Sequence, residues 1–435
     1  MSTRTNNAAA WHCPTGALND PPHYPLHCPP QYPSMTRPLP DGLRPETLAV
    51  RTALPPSQHG EHSEGLFLTS TYVQPDAATS ARRFAEMQDF TYSRTSNPTV
   101  RSFEARLAAL EGAEAAVATA TGMAAILLLV MGLLKSGDHV VCSRSVFGST
   151  LSLFGREFAK FGVETTFVSQ TDLAQWRAAI RPGTKLLFAE TPTNPLGEVC
   201  DIAALADLAH GAGALLTVDN TFCSPVLQRP LALGADLVVH AGTKFLDGQG
   251  RVMAGALCGP ARLIHDVFGP AQRTAGMTLA PFNAWVVLKG METLSLRMKA
   301  QSQATLAVAH WLAQQPAVAQ VHYAGLATHP QHDLAMRQQS GLGGAVLAFD
   351  LRADDADAAR AAAFKVVDST RVISIATNLG DTKTIITHPS TTSHGRLTEA
   401  QRQQAGIGQG LLRLAVGLEH LDDITDDLLR GLSLL

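Results

Sequence analysis

Residues 184–244 read TKLLFAETPTNPLGEVCDIAALADLAHGAGALLTVDNTFCSPVLQRPLALGADLVVHAGTK. Three short apolar runs, KLLFAE, ALLTVD and ADLVVH, lack strict alternation and end in turn residues. That is the pattern of strands covered on both faces. Between the first two lies IAALADLAHGAG, with helical spacing and a glycine stop. Strands separated by helices predict a mostly parallel sheet with helices on both faces. Right-handed crossovers then bring the strand C-termini to one edge, where ligands bind in such sheets.

The alternation continues upstream. FEARLAALEG from 103 reads as a helix, AAVATA from 115 as a strand, and AAILLLVMGLL from 124 as a buried helix after the turn TGM. DHVVCSRSVF and VETTFVSQ read as strands, TLSLFGREFAKFG and DLAQWRAAI as helices, and VMAGALCG from 252 as a last strand. After about residue 285 the pattern changes. One long helix, METLSLRMKAQSQATLAVAHWLAQQ, precedes GGAVLAFDL, RVISIA, TKTIITHP and LLRLAVGLE, which predict a smaller α+β domain with an antiparallel sheet. The expected division is a disordered, Pro-rich extension over 1–34, with Met35 as an alternative start; an arm over 35–100; a large α/β domain over 101–285; and an α+β domain over 286–435.

Composition narrows the function classes. The 435 residues carry 34 Lys+Arg against 37 Asp+Glu, a net charge of −3, with 16% charged residues. That leaves no basic excess for nucleic acid or anionic lipid. Residues 115–134 are uncharged and long enough to span a membrane, but they divide naturally into strand, turn and buried helix. The six cysteines, at 13, 28, 142, 200, 223 and 258, form no C-x-x-C pair, and no secretory signal precedes them. They predict reduced thiols in a cytoplasmic protein. His59 and His62 in HGEH read as loop residues rather than metal ligands, so no metal is expected. Neither G-x-G-x-x-G nor G-x-x-x-x-G-K-[ST] occurs, which argues against a nicotinamide Rossmann site and a triphosphate site.

The chemistry-bearing residues sit at the strand ends. Asp219 closes ALLTVD, and Lys244 follows ADLVVH in a turn of small residues. Taken alone, a lysine and an aspartate on one sheet form a structural ion pair. A buried lysine beside small residues can instead bind an aldehyde covalently. A carboxylate opposite it can hold a pyridine nitrogen protonated. The Gly122 and Met123 N–H groups open a helix, a position that binds phosphate. One molecule would use all three features: pyridoxal 5'-phosphate.

Six ordered motifs extend this reading: YSRTSNPT at 92, TGMAA at 121, ETPTNP at 190, VDNTF at 218, HAGTK at 240 and LLRLAVGLE at 411. From about residue 45 to the C-terminus the chain resembles the Cys/Met-metabolism family of pyridoxal-phosphate enzymes, the cystathionine γ-synthase-like group of the aspartate aminotransferase fold (fold type I). The resemblance implies that Lys244 binds the cofactor aldehyde and later serves as acid and base. It makes Asp219 the partner of the ring nitrogen, and Gly122, Met123 and Thr243 phosphate ligands. Asn194 would lie near the cofactor 3'-oxygen, and Arg413 would clamp the substrate α-carboxylate. Tyr92 and Arg94 would reach the phosphate of the adjacent subunit's cofactor, so that a dimer is the minimal unit and a homotetramer is expected.

The chain also departs from the family pattern. Phe147 stands where a tyrosine usually stacks on the cofactor; it can stack but not exchange protons. Ala241 replaces a serine, at a cost of about 1 kcal/mol of cofactor affinity. Asn378 replaces a serine in an S-L-G motif, and the resemblance implies that it faces the substrate. With GEHSEGLFLTSTY at 60, KFLDGQGR at 244 and THPSTTSHGRL at 387, these features resemble the sulfhydrylase branch. That resemblance implies O-succinylhomoserine and sulfide as substrates, in methionine biosynthesis. The distal carboxylate of a succinyl group needs a cation, for which Arg396 and Arg51 are the candidates. The rivals are acetyl-ester sulfhydrylase, cystathionine γ-synthase, methionine γ-lyase, a non-catalytic binding protein and a nicotinamide oxidoreductase.

Overall fold

Strands buried on both faces assemble first in the chain. A computed structural model describes residues 39–53, 61–86 and 90–435. The 1–34 extension, Cys13, Cys28 and His59 lie outside the described residues. Seven strands form the larger sheet: β1 (Ala115–Thr119), β2 (His139–Ser143), β3 (Glu164–Val168), β4 (Thr184–Glu190), β5 (Leu215–Asp219), β6 (Leu237–His240) and β7 (Gly255–Gly259), in the order β1-β7-β6-β5-β4-β2-β3. Neighbours from β3 across to β6 are parallel, whereas β7 runs antiparallel to both β6 and β1. VMAGALCG is therefore the one reversed strand. Reversal of β7 leaves β1 pointing the same way as β6, so the turn after β1 joins the strand ends that carry Asp219 and His240.

The helices start where polar side chains can cap them. Asn97 accepts from the Thr99 N–H at 2.9 Å and, with Pro98 next, opens the helix Pro98–Glu111; Gly112, at φ 72°, closes it. Thr121 accepts from the Ala124 N–H at 3.0 Å and opens Gly122–Leu133. That helix is apolar all round because it is packed beneath the sheet, against β1, β6 and β7. No helix among the described residues is long and apolar enough to cross a membrane. TLSLFGREFAKFG is helical but irregular: an α-turn over Gly148–Ser152, a widened turn over Leu153–Glu157 and a tight one over Phe158–Phe161.

The second sheet has five strands: β8 (Val318–His322), β9 (Val346–Leu351), β10 (Ser374–Ile375), β11 (Ile385–Thr387) and β12 (Leu411–Ala415), in the order β10-β11-β12-β9-β8. It is antiparallel except for β10, which pairs parallel to β11 over two residues. Two expectations change here. RVISIA yields only the short β10, and β8 is an additional strand, half-exposed at the sheet edge, where its pattern is weak.

The long helix expected from Met291 runs over Leu294–Ala313, and a second helix, Pro281–Met291, precedes it. The Gly290 carbonyl accepts from Arg297 Nη2 at 2.8 Å and from the Thr293 hydroxyl at 3.3 Å. A Cβ on Gly290 would lie 2.4 Å from the carbonyl oxygens of Leu246 and Asp247. Glycine at 290 therefore lets the backbone of the first helix rest on the turn that follows Lys244.

Candidate active site

The parallel register puts two acidic side chains side by side. Glu190 and Asp219 are register partners on β4 and β5, and Asp219 is also paired with Val239 on β6. The Asp219 Oδ1 accepts from the Thr221 N–H at 3.0 Å. The Thr221 hydroxyl in turn accepts from the Ala241 N–H at 2.9 Å, which ties the turn after β5 to the one carrying Lys244. Burial raises the Asp219 carboxyl; the Thr221 hydroxyl and amide, and then His240, pull it back.

Lys244 projects from a turn closed by its own N–H to the Ala241 carbonyl at 3.1 Å. Its Nζ donates to Asn378 Oδ1. Burial, and then the positive charge of Arg413, lower the amine to about 8, so a substantial fraction is neutral near physiological pH. Gly380, at φ 80°, lies against this turn; a Cβ there would stand 3.1 Å from the Lys244 Cα. Asn378, expected to face substrate, is thus the lysine's own hydrogen-bond partner.

Arg413 is buried on β12 of the second sheet. Its Nη1 donates to Asn194 Oδ1 at 3.1 Å, and its Nη2 to the carbonyls of Thr377 and Asn378 at 3.1 and 3.0 Å. Its Nε is buried with no partner among the described residues. Burial alone lowers it to about 10. A buried guanidinium with no carboxylate beside it is costly unless an anion joins it. His394 lies close by and is lowered to about 4 by burial and then by Arg413, which keeps it neutral.

The helix opening at Gly122 reaches the same edge. A Cβ on Gly122 would meet the Ala241 Cβ at 2.7 Å, and one on Gly255 would meet the Thr121 carbonyl oxygen at 2.1 Å. Glycine at both positions lets the helix N-terminus come down on the HAGTK turn. The Gly122 and Met123 N–H groups precede the first intrahelical bond and are available to an anion. Thr243 spends its hydroxyl on Ala254, accepting from the N–H at 3.2 Å and facing the carbonyl at 3.4 Å. Phe147 lies nearby with its ring 40% exposed. Glu190 Oε2 accepts from the Phe147 N–H at 2.7 Å.

Other expected residues are not gathered in. Tyr92 and Arg94 are exposed, with the Arg94 guanidinium 5.5 Å from the Tyr92 ring centre and its Nη1 donating to the Arg273 carbonyl at 2.5 Å. A cavity of about 560 Å³ lies beside them, lined in part by Arg101, Glu104, Gln272 and Arg273. Lys244, Asp219 and Arg413 do not line it. Arg396 is exposed on the loop that holds His394, and none of the described residues pairs with it. Arg51 ends a helix (Pro45–Arg51) packed on Pro98–Glu111 and Leu294–Ala313, and no contact joins it to Lys244 or Arg413 among the described residues.

Sequence reasoning passed over Glu190, and also the buried pair of His240 Nε2 and Glu111 Oε1 at 2.5 Å. Glu190 was readable as an acidic residue closing an otherwise apolar strand. Glu111 had no signal, because its partner is 129 residues away.

A nucleophilic lysine, a buried carboxylate, a free helix N-terminus and a buried arginine lacking an anion form a donor set that fits a phosphorylated pyridine aldehyde together with an amino-acid carboxylate. The class defined is an enzyme dependent on pyridoxal phosphate. The chain belongs to the Cys/Met metabolism PLP-dependent enzyme family, which matches residues 46–433.

Over 396 residues the chain is 57% identical to an O-succinylhomoserine sulfhydrylase of Pseudomonas aeruginosa, covering 91% of this chain and 96% of that one. It is 37% identical to an L-methionine gamma-lyase of Fusobacterium nucleatum, covering 89% and 97%. A solved structure assigned to an O-acetylhomoserine (thiol)-lyase of Campylobacter jejuni, containing a pyridoxyl-lysine phosphate, superposes with a TM-score of 0.85 at 30% identity, covering 90% of this chain and all of that one. The fold is therefore fold type I: a mostly parallel large sheet and a smaller C-terminal part with its own sheet.

Proposed function

We propose that this enzyme converts O-succinylhomoserine and sulfide to homocysteine and succinate, a γ-replacement. The observation that carries the reading is the convergence of Lys244, Asn378 and Arg413, supported by the high identity to a sulfhydrylase. Bound pyridoxal phosphate supplies an electron sink that makes the substrate Cα and Cβ protons removable.

The chain's own residues would do the rest. Lys244 would hold the cofactor aldehyde, Asp219 the ring nitrogen, and Gly122 and Met123 the phosphate. Arg413 would take the substrate α-carboxylate on its unpartnered Nε face and so orient Cα above the ring. The freed Lys244 amine would remove the Cα proton, pass it to the bound cofactor so that the amine is neutral again, and then remove a Cβ proton; after sulfide has replaced succinate at Cγ it would return the two in reverse order. One base serving two carbons must be mobile; a single hydrogen bond to Asn378 leaves the lysine able to swing. Phe147 can stack on the ring but carries no proton. That favours Lys244 as the sole proton carrier and tells against an eliminating lyase.

The distal succinyl carboxylate would meet Arg396, whose loop also carries His394 at the edge of the Arg413 site. Among the described residues no contact joins Arg51 to Lys244 or Arg413. Tyr92 and Arg94, exposed and joined to their own Lys244 by no contact among the described residues, would serve the phosphate of a second copy. The exposed Leu68, Val73 and Phe84 on the same arm fit that use, in a dimer that pairs into a tetramer.

Purified protein with pyridoxal phosphate and O-succinylhomoserine should give homocysteine from sulfide well above cystathionine from cysteine, measured by mass spectrometry. Dominant cystathionine would move the assignment to a synthase. 2-Oxobutyrate alone would move it to a lyase.

A further inference from the structure

Two buried carboxyl groups end adjacent strands, Glu190 on β4 and Asp219 on β5, and only Asp219 has been given a task. Glu190 is 5% exposed and Asp219 9%. Among the described residues neither forms an ion pair with a lysine, arginine or histidine. Two carboxylates side by side in a buried site do not both ionise; the pair keeps a proton.

The surroundings decide which group holds it. Asp219 has the Thr221 N–H, the Thr221 hydroxyl and, farther off, His240 to favour its anion. Glu190 faces the Cys142 thiol on β2, Asp219 on β5, and the backbone N–H groups of Phe147 and Asn194. None of these is a cation. Its own carbonyl is held by Gln170 Nε2 at 2.7 Å. Burial, and then the charge of Asp219, push the Glu190 carboxyl well above its ordinary range.

We propose that Glu190 is a positioning residue that carries the shared proton as a neutral acid, leaving Asp219 the only anion at this edge, and that its Oε2 anchors the Phe147 backbone so that the ring is held over the site. A neutral acid still accepts from the Phe147 N–H, and it adds no second negative charge near the group Asp219 is to bind. The part of this inference that concerns ring placement rests on the proposed cofactor site; the protonation state does not.

Infrared spectroscopy of the cofactor-free protein at neutral pH tests the protonation directly. Wild type should show a carbonyl stretch of a buried protonated acid that disappears in Glu190→Gln. Glu104 is a second source of such a band, since burial pushes it up to about 7, so Glu104→Gln serves as the background. Glu190→Gln should also retain pyridoxal phosphate within about threefold of wild type, read by quenching of tryptophan fluorescence, because a neutral amide reproduces both the charge and the acceptor. Glu190→Leu, which removes the acceptor, should lose about tenfold, and Glu190→Gln is the conservative rescue.

A band unchanged in Glu190→Gln, or a Glu190→Gln protein that fails to fold or binds as poorly as Glu190→Leu, overturns the inference, since each means that the charge is required or the proton lies elsewhere. Wild-type binding by Glu190→Leu overturns the anchoring role. Failure of the sulfhydrylase reading would instead leave the infrared band intact.

Discussion

The strand edge around Lys244 and the arm around Tyr92 both carry polar side chains but are organised in opposite ways. At the edge, Lys244, Asp219 and Arg413 are largely enclosed, each held by hydrogen bonds at known atoms, and burial moves their protonation. On the arm, Tyr92 and Arg94 are exposed and their placement depends on one backbone carbonyl and one ring. A site completed within the chain acquires its chemistry from desolvation. A site that a second copy completes, as proposed for the arm, leaves its groups in solvent until assembly. Mutations should therefore act in one region through chemistry and in the other through assembly and affinity.

The largest effect is expected at the edge. Lys244→Ala should lower turnover by about 10³-fold or more, with the fold intact by circular dichroism, because the proposed proton carrier is gone. The amine also gives a pH signature. With its pKa lowered from 10.5 to about 8, the neutral nucleophile accumulates as pH rises through about 8. Capture of pyridoxal phosphate by the cofactor-free enzyme, followed by rapid mixing, should accelerate up to that pH and then level off. Acceleration continuing toward pH 10 would mean that the amine is not desolvated.

Arg413→Ala should come next, raising KM for the amino-acid substrate by about 100-fold, the loss of charge-assisted bonds to a carboxylate. A change confined to kcat would place the carboxylate elsewhere.

The arm should respond more weakly, and in trans. Arg94→Ala should weaken cofactor binding by about tenfold. At limiting pyridoxal phosphate, mixing and reassembling it with Lys244→Ala subunits should give more activity than the two variants measured apart, because one site of each hybrid dimer is then intact. Absence of recovery would return Arg94 to its own subunit.

The smallest effect is expected on the outer loop. Arg396→Ala should reduce the preference for succinyl over acetyl esters by about two- to tenfold, as befits an exposed charge. Arg51→Ala should leave that ratio unchanged. Steady-state rates with the two esters decide both.

Much of this was legible from local chemistry. Lys244, Asp219, Gly122 and Arg413 all lie in short motifs at strand ends or helix starts, where residue type and neighbours along the chain specify the role. Asn378 was singled out by its departure from a motif, but its contact with Lys244 spans 134 residues and needs the Gly380 turn to press on the lysine's backbone. The close approach of Gly290 to the carbonyls of Leu246 and Asp247 and the reversal of β7 were equally invisible, since each depends on a distant segment of chain.

By itself the sequence determined the strand–helix alternation, the edge at which the candidate residues gather and which residues are proposed to react, because periodicity and turn residues act over a few positions. Only the tertiary structure decided the charges those groups carry. It set Glu190 beside Asp219 through the register of β4 and β5, brought Arg413 from the second sheet to Asn194 and lowered the Lys244 amine. Protonation depends on desolvation and on neighbours in space, and neither is a property of the chain before it folds.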